Sequence, residues 1–311
     1  MKTKDFFLVA ALALGVSIST SPTGRAAATI YVSNGGSNTV VQFTEAGVGA
    51  PFASGGGNTP VGLATDNAGN LYVTDDTQNT IIRYTPNGVG SVFANTNLDG
   101  PEGQAFGSDG NLYVANAGNN TIERFTPDGV GSVFATGGLN LPWGIAVDGW
   151  GNVYASNLGN NTIVKFTPGG VGSLFATGLN ASLGLAIDNL GNLFASVFNS
   201  NTIVKFTLDG VGSVFANSGL DGPTGLAFDI DRNLYVTNLR GNTIVKFTPG
   251  GFGSIFADAS DGILNPRFIA IQPGLGVPEP TTFGLLTAAA IALAGRPRRG
   301  GERVDSRIQL S

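Results

Sequence analysis

A short string built around a Tyr-Val pair returns along this chain at a nearly constant interval, and that interval constrains the fold more than any other feature. Asn70-Leu71-Tyr72-Val73 recurs as Asn111-Leu112-Tyr113-Val114, Asn152-Val153-Tyr154-Ala155, Asn192-Leu193-Phe194-Ala195 and Asn233-Leu234-Tyr235-Val236, with Ile30-Tyr31-Val32 as the first copy. The aromatic positions 31, 72, 113, 154, 194 and 235 lie 41, 41, 41, 40 and 41 residues apart, so six copies fill residues 29–275. A repeat of this length cannot bury its apolar face alone and must stack on its neighbours.

Each unit divides into four short segments, as at residues 61–65, 70–74, 80–85 and 90–94. All are rich in β-branched or aromatic residues and bounded by Gly, Asn, Asp or Pro, which reads as four strands. Asp66-Asn67-Ala68-Gly69-Asn70 and Thr85-Pro86-Asn87-Gly88 supply the turns. The 48 glycines of the chain oppose a helical alternative. The expected fold is therefore all-β: a six-bladed β-propeller of four-stranded antiparallel blades. The first copy begins at its second strand, while Pro266-Arg267-Phe268-Ile269-Ala270-Ile271 matches a first strand without a blade of its own. That C-terminal strand should complete the first blade and close the ring, which also pairs an otherwise open edge.

The unit pattern Pro-x-Gly-Leu-Ala-x-Asp-x-x-Gly-Asn-Leu-Tyr-Val, with Gly-Asn-Asn-Thr-Ile after it, resembles the NHL repeat and the neighbouring YVTN repeat, whose four letters stand at Tyr235 to Asn238. The resemblance implies the six-bladed propeller but leaves function open, since that fold carries binding scaffolds, lyases and lactonases.

The two ends read differently. Lys2 and Lys4, the apolar run 6–18 and Ala26-Ala27-Ala28 have the layout of a secretory signal peptide, residues 1–28. Residues 276–311 carry Val277-Pro278-Glu279-Pro280, an apolar segment at 283–295 and then Arg296, Arg298 and Arg299, an order that resembles the PEP-CTERM sorting signal. The resemblance implies an exosortase-type processing enzyme as a partner, an exported or cell-surface destination and a transient stage at the inner membrane. Thirteen apolar residues make ~20 Å of helix against a hydrocarbon core of ~30 Å, which favours a temporary anchor over a permanent span. A short membrane helix is the alternative.

Residues 29–275 hold eight Lys plus Arg against 17 Asp plus Glu, a balance that sets nucleic acid aside as a partner. Histidine and cysteine are absent, so imidazole catalysis, thiolate chemistry and zinc sites built on either residue are excluded. The residue between Pro and Gly in each unit should stand at one channel mouth: Arg267, Val61, Glu102, Trp143, Leu183 and Thr224. These six differ while their neighbours repeat, and divergent positions on a repeated scaffold are where function is written. A second ring closes the Tyr-Val strands: Asn34, Asp75, Asn116, Asn157, Val197 and Asn238, of which Asp75 and Val197 with its neighbour Phe198 break the pattern. The candidate ligand-binding residues are thus Glu102, Trp143, Arg267, Asp75 and Phe198. Propellers of the gluconolactonase and regucalcin family imply metal ligands at the mouth, yet a lone Glu102 offers too few oxygens, so no metal and no cofactor are expected. Asp229-Ile230-Asp231-Arg232-Asn233 imitates the start of a calcium loop but aligns with the turn at Asp66 and is read as a turn. The virginiamycin lyase and amidating lyase propellers depend on histidine, which this chain lacks.

The leading expectation from these residues is a non-enzymatic scaffold that binds an exopolysaccharide or an envelope protein. The alternative is a gluconolactonase-like or lyase-like enzyme that uses Glu102 as acid or base and Arg267 to orient an anionic substrate.

Overall fold

Alternation of β-branched and aromatic residues with small or polar ones gives each unit strands whose two faces are both apolar, and a sheet of that kind must be covered on both sides. The computed structural model describes residues 27–54 and 59–274, and these form six four-stranded antiparallel sheets. The blades are numbered one to six from residue 29. The innermost strands of blades two to six are Pro60–Thr65, Pro101–Phe106, Pro142–Val147, Ser182–Ile187 and Pro223–Phe228.

Blade one is completed from the other end of the described chain, as the sequence pattern requires. Its strand order is Pro266–Gln272, Thr29–Asn34, Thr39–Thr44, Gly49–Ser54. The closing strand is in register with Thr29 opposite Gln272, Tyr31 opposite Ala270 and Val32 opposite Ile269. Each innermost strand neighbours the innermost strands of the blades before and after it, so the six make a closed ring.

The core is not one centre but six wedges, one between each pair of blades. Between blades three and four, for example, Tyr113, Ala115 and Ile122 pack on Ile145, Val153, Val164 and Phe166. The repeated aromatic of the second strand meets the Phe of its own outer strand edge to face, as in Tyr72–Phe93 at 4.9 Å and Tyr113–Phe134 at 4.9 Å. Phe93 and Phe134 then approach Phe125 and Phe166 of the next blade at 6.3 Å and 6.2 Å. Such pairs stabilise by about 0.5–1.5 kcal/mol beyond area burial, and here they join blade to blade.

The turns between first and second strands lie at one end of the ring. Asp229 accepts hydrogen bonds from the backbone N–H and side-chain amide of Asn233 at 2.8 and 2.7 Å, the same closure that Asp66 makes with Asn70. The calcium-like string is therefore an ordinary turn of the repeat.

Among the described residues no helix is long and apolar enough to cross a membrane. The leader up to residue 26 and the tail 276–311, with its apolar segment 283–295, lie outside the described residues.

Candidate functional site

The other end of the ring is shaped by a bulge that every unit repeats. In blade two, Pro60 faces Asp75 and Leu63 faces Val73, which leaves Val61 and Gly62 together opposite Thr74. The same shift recurs in blades three to six, and a corresponding irregularity marks the closing strand of blade one. A bulge bends the strand and re-aims a side chain, and its first residue is the variable one of each unit. The glycine beside it is required by close approach: a Cβ on Gly62 would lie 2.1 Å from the Glu102 carbonyl oxygen, and on Gly144 2.1 Å from that of Leu183.

A buried hydroxyl locks five of the six bulges to the next blade. Thr74 Oγ1 accepts from the Gly62 N–H at 2.7 Å and donates to the Glu102 carbonyl at 2.8 Å. Ser156, Ser196, Thr237 and Ser33 do the same for Leu183, Thr224, Arg267 and Val61. Blade three has Ala115 at this place, so the carbonyl of Trp143 receives no such bond.

Three charged groups meet at this mouth. Glu102 is 6 % exposed, and its Oε2 has no hydrogen-bond partner. Burial pushes its carboxyl up to about 8, with Arg267 opposing the shift and Asp76 adding to it. Arg267 Nη1 lies 3.8 Å from Asp76 Oδ2. Burial raises Asp76 above the usual carboxylate range, Arg267 opposes that rise and Asp75 adds to it, while Asp76 Oδ1 is buried without a partner.

Beside this group lies a cavity of about 210 Å³ lined by Trp143, Leu158, Ala181, Leu183, Phe198, Thr224, Leu239 and Arg267. Trp143, Phe198 and Arg267, singled out from the sequence, share this wall, and the charge of Arg267 also acts on the Glu102 carboxyl. A larger cavity of about 500 Å³ opens at the opposite end between blades two and three. Its carboxylate, Asp66, is held by its own turn.

Asp75 stands apart from the cavity. Its Oδ1 accepts from the Thr77 N–H, the Thr77 hydroxyl and the Gln78 N–H at 3.0, 2.8 and 2.9 Å, so it closes the turn after its strand. The informative ring is one residue further on: Gly35, Asp76, Ala117, Leu158, Phe198 and Leu239. Three of these line the cavity and a fourth is paired with Arg267. Comparing that column across units would have found Asp76, Leu158 and Leu239, which sequence reasoning missed. Arg240 follows in the same loop, its guanidinium 4.2 Å from the centre of the Phe198 ring.

Blade three carries two more departures from the repeat on the face turned to blade two. Gln104 stands where other units have Leu63, Ile145, Leu185, Leu226 and Ile269, and its amide donates to the Tyr72 and Gly62 carbonyls at 2.8 and 3.1 Å. Glu123 stands where others have Val41, Val164, Val204 and Val245. It is 2 % exposed, with Oε2 unpartnered and Oε1 accepting from the Thr121 hydroxyl at 3.4 Å.

The virginiamycin B lyase family matches the chain over residues 41–263, more than half its length. No curated protein sequence matches it. Among solved structures, a chain of a nidogen/laminin complex superposes with a TM-score of 0.71 at 20% identity, covering 80% of this chain and 99% of that one. A streptogramin B lyase gives 0.54 at 17% identity, covering 75% and 74%. A catalytically inactive histidine-to-alanine variant of virginiamycin B lyase from Staphylococcus aureus, with quinupristin, gives 0.55 at 20% identity, covering 64% and 69%. At these identities the structural likeness shows the propeller fold. The expectation that the chain is not an enzyme is overturned by the family match, because the family is named for a lyase. That expectation rested on missing histidine, and absence of one catalytic side chain is not absence of a site.

Proposed function

The chain belongs to the virginiamycin B lyase family, and from that premise we propose that its mouth is a catalytic site for lyase-type cleavage of an anionic substrate. One observation carries the reading: two carboxyls, Glu102 and Asp76, flank the single guanidinium of Arg267, and each keeps a buried oxygen without a partner. Elimination needs one group to take a proton and another to protonate the departing atom. Carboxyls whose surroundings separate their affinities for protons divide those roles. Glu102, neutral below about pH 8, is the acid. Asp76, ion-paired to Arg267, is the base, and Arg267 holds the substrate's anionic group.

Histidine is absent from all 311 residues, so this chemistry runs on carboxyls, unlike that of the Staphylococcus aureus protein, whose histidine-to-alanine variant is inactive. The leader and the Pro-Glu-Pro tail support export, with processing by an exosortase-type enzyme, as part of the same proposal. An exopolysaccharide or envelope protein is then a neighbour of the mature protein rather than the reason for its fold.

The test is turnover by the purified protein of streptogramin B and of lactones and esters that carry a free carboxylate. We expect activity that falls by ~10²-fold or more in Glu102→Gln, the range for loss of a general acid, and comparably in Asp76→Asn. Undiminished turnover in both variants would contradict the assignment.

A further inference from the structure

The cavity at the mouth has a one-sided chemistry. Trp143, Phe198, Leu158, Leu183 and Leu239 present aromatic and branched aliphatic surface, and at one edge stands Arg267. Its guanidinium carries five N–H donors in a fixed plane. Among the described residues its one ion pair, to Asp76 at 3.8 Å, is longer than a hydrogen bond, and its side chain is 28 % exposed. Most of its donors are therefore not committed to the protein. Thr224, the other polar group of the wall, has its hydroxyl engaged with Thr237 and the Pro266 carbonyl.

We propose that this cavity binds a small organic acid by its carboxylate and its apolar body together, an aromatic or branched aliphatic monocarboxylate whose anion pairs with Arg267 while its hydrocarbon part lies against Trp143, Phe198 and Leu183. The proposal rests on the mouth being the functional site and names the class of substrate group that it takes. A planar, singly charged carboxylate matches the guanidinium fork. A phosphate dianion is a poorer match, because Arg267 is the one cation among the described lining residues and it already stands beside the Asp76 carboxylate. The volume of about 210 Å³ suits one aromatic ring with a short chain rather than a whole peptide.

The chain offers its own reporter, since its two tryptophans are Trp143 in the cavity wall and Trp150, 65 % exposed in a turn at the opposite end. In a Trp150→Phe background, Trp143 fluorescence is titrated with 3-phenylpropionate, with 3-phenylpropanol and with inorganic phosphate. We expect a saturable change with the acid, binding of the alcohol weaker by 10-fold or more, and no saturation with phosphate. Arg267→Met should make acid and alcohol equal. Leu183→Phe, which adds bulk to the cavity wall without adding a second indole, should weaken the response to both by 10-fold or more, and it covers the case in which Arg267→Met does not fold. Equal affinity for acid and alcohol in the unsubstituted protein, retained acid preference in Arg267→Met, saturation by phosphate or no response to the acid would each overturn the proposal. Glu102→Gln separates this claim from the catalytic one: it should lose turnover yet keep acid binding. Turnover without acid binding would sink the ligand class alone, and acid binding without turnover the catalytic reading alone.

Discussion

The two ends of the propeller are made from the same strands and turns, and they use polar side chains in opposite ways. At the turn end, Asp148 is 4 % exposed and accepts from the Trp150 and Asn152 N–H groups at 2.9 and 2.8 Å, from the Asn152 amide at 2.8 Å and from the Tyr154 hydroxyl at 3.4 Å. Asp66 and Asp188 close their turns in the same manner. At the mouth, Glu102 is buried and Asp76 half-buried, and each keeps one buried oxygen without a partner. A satisfied buried carboxylate stabilises its loop, while an unsatisfied one destabilises the fold and remains available to a ligand. The turn end thus holds carboxylates that are satisfied by their own loops, and the mouth holds two that keep an open oxygen.

Three substitutions test that contrast, in descending size. Asp148→Ala removes a carboxylate with four donors and should destabilise the fold by about 3 kcal/mol, measured by denaturant unfolding. An effect under a third of that would show that the turn end does not carry the stability assigned to it. Glu123→Val replaces a buried carboxyl by the residue of four other blades and should stabilise by about 2 kcal/mol. Burial raises the Glu123 carboxyl while the Thr121 hydroxyl opposes the rise. The cost of its charge therefore grows as pH rises above the range in which an unfolded glutamate ionises. The gain should be larger at pH 8 than at pH 4, and unfolding curves at the two values would show it. Ala115→Ser supplies the missing hydroxyl between Gly103 and the Trp143 carbonyl and should add about 1 kcal/mol. A neutral result would mean that the open seam beside Trp143 is already satisfied in another way.

The repeat made the scaffold readable. A period of 41 residues, four strand-like segments per period and an unpaired first-strand copy at Pro266 leave little freedom in how the ring closes. The mouth was readable in part, because the bulge residue is the one column in which neighbours repeat and the residue itself does not. Glu102, Trp143 and Arg267 follow from that column. Asp76 did not, for a physical reason: attention to strand ends selects Asp75, which the turn after the strand captures through Thr77 and Gln78, and the next residue is the one released toward Arg267. The depth of Glu102 was not readable either. Whether a mouth position is open or buried depends on how the loops of several blades meet over it, and no single unit contains that information. The expectation of a non-enzyme followed from the absent histidine, while the family match extends over residues 41–263, and the burial that raises the Glu102 carboxyl belongs to the folded ring.

The titration of the Glu102 carboxyl measures the central claim most directly. With protein carrying ¹³C at glutamate side-chain carboxyls, the Glu102 signal is assigned by its disappearance in Glu102→Gln and followed from pH 4 to pH 10. The account predicts a midpoint near 8, because burial at the mouth outweighs the pull of Arg267. A midpoint near the ordinary glutamate value of 4.5 would mean a hydrated, ionised carboxylate at neutral pH and would contradict the role of Glu102 as the acid of the site.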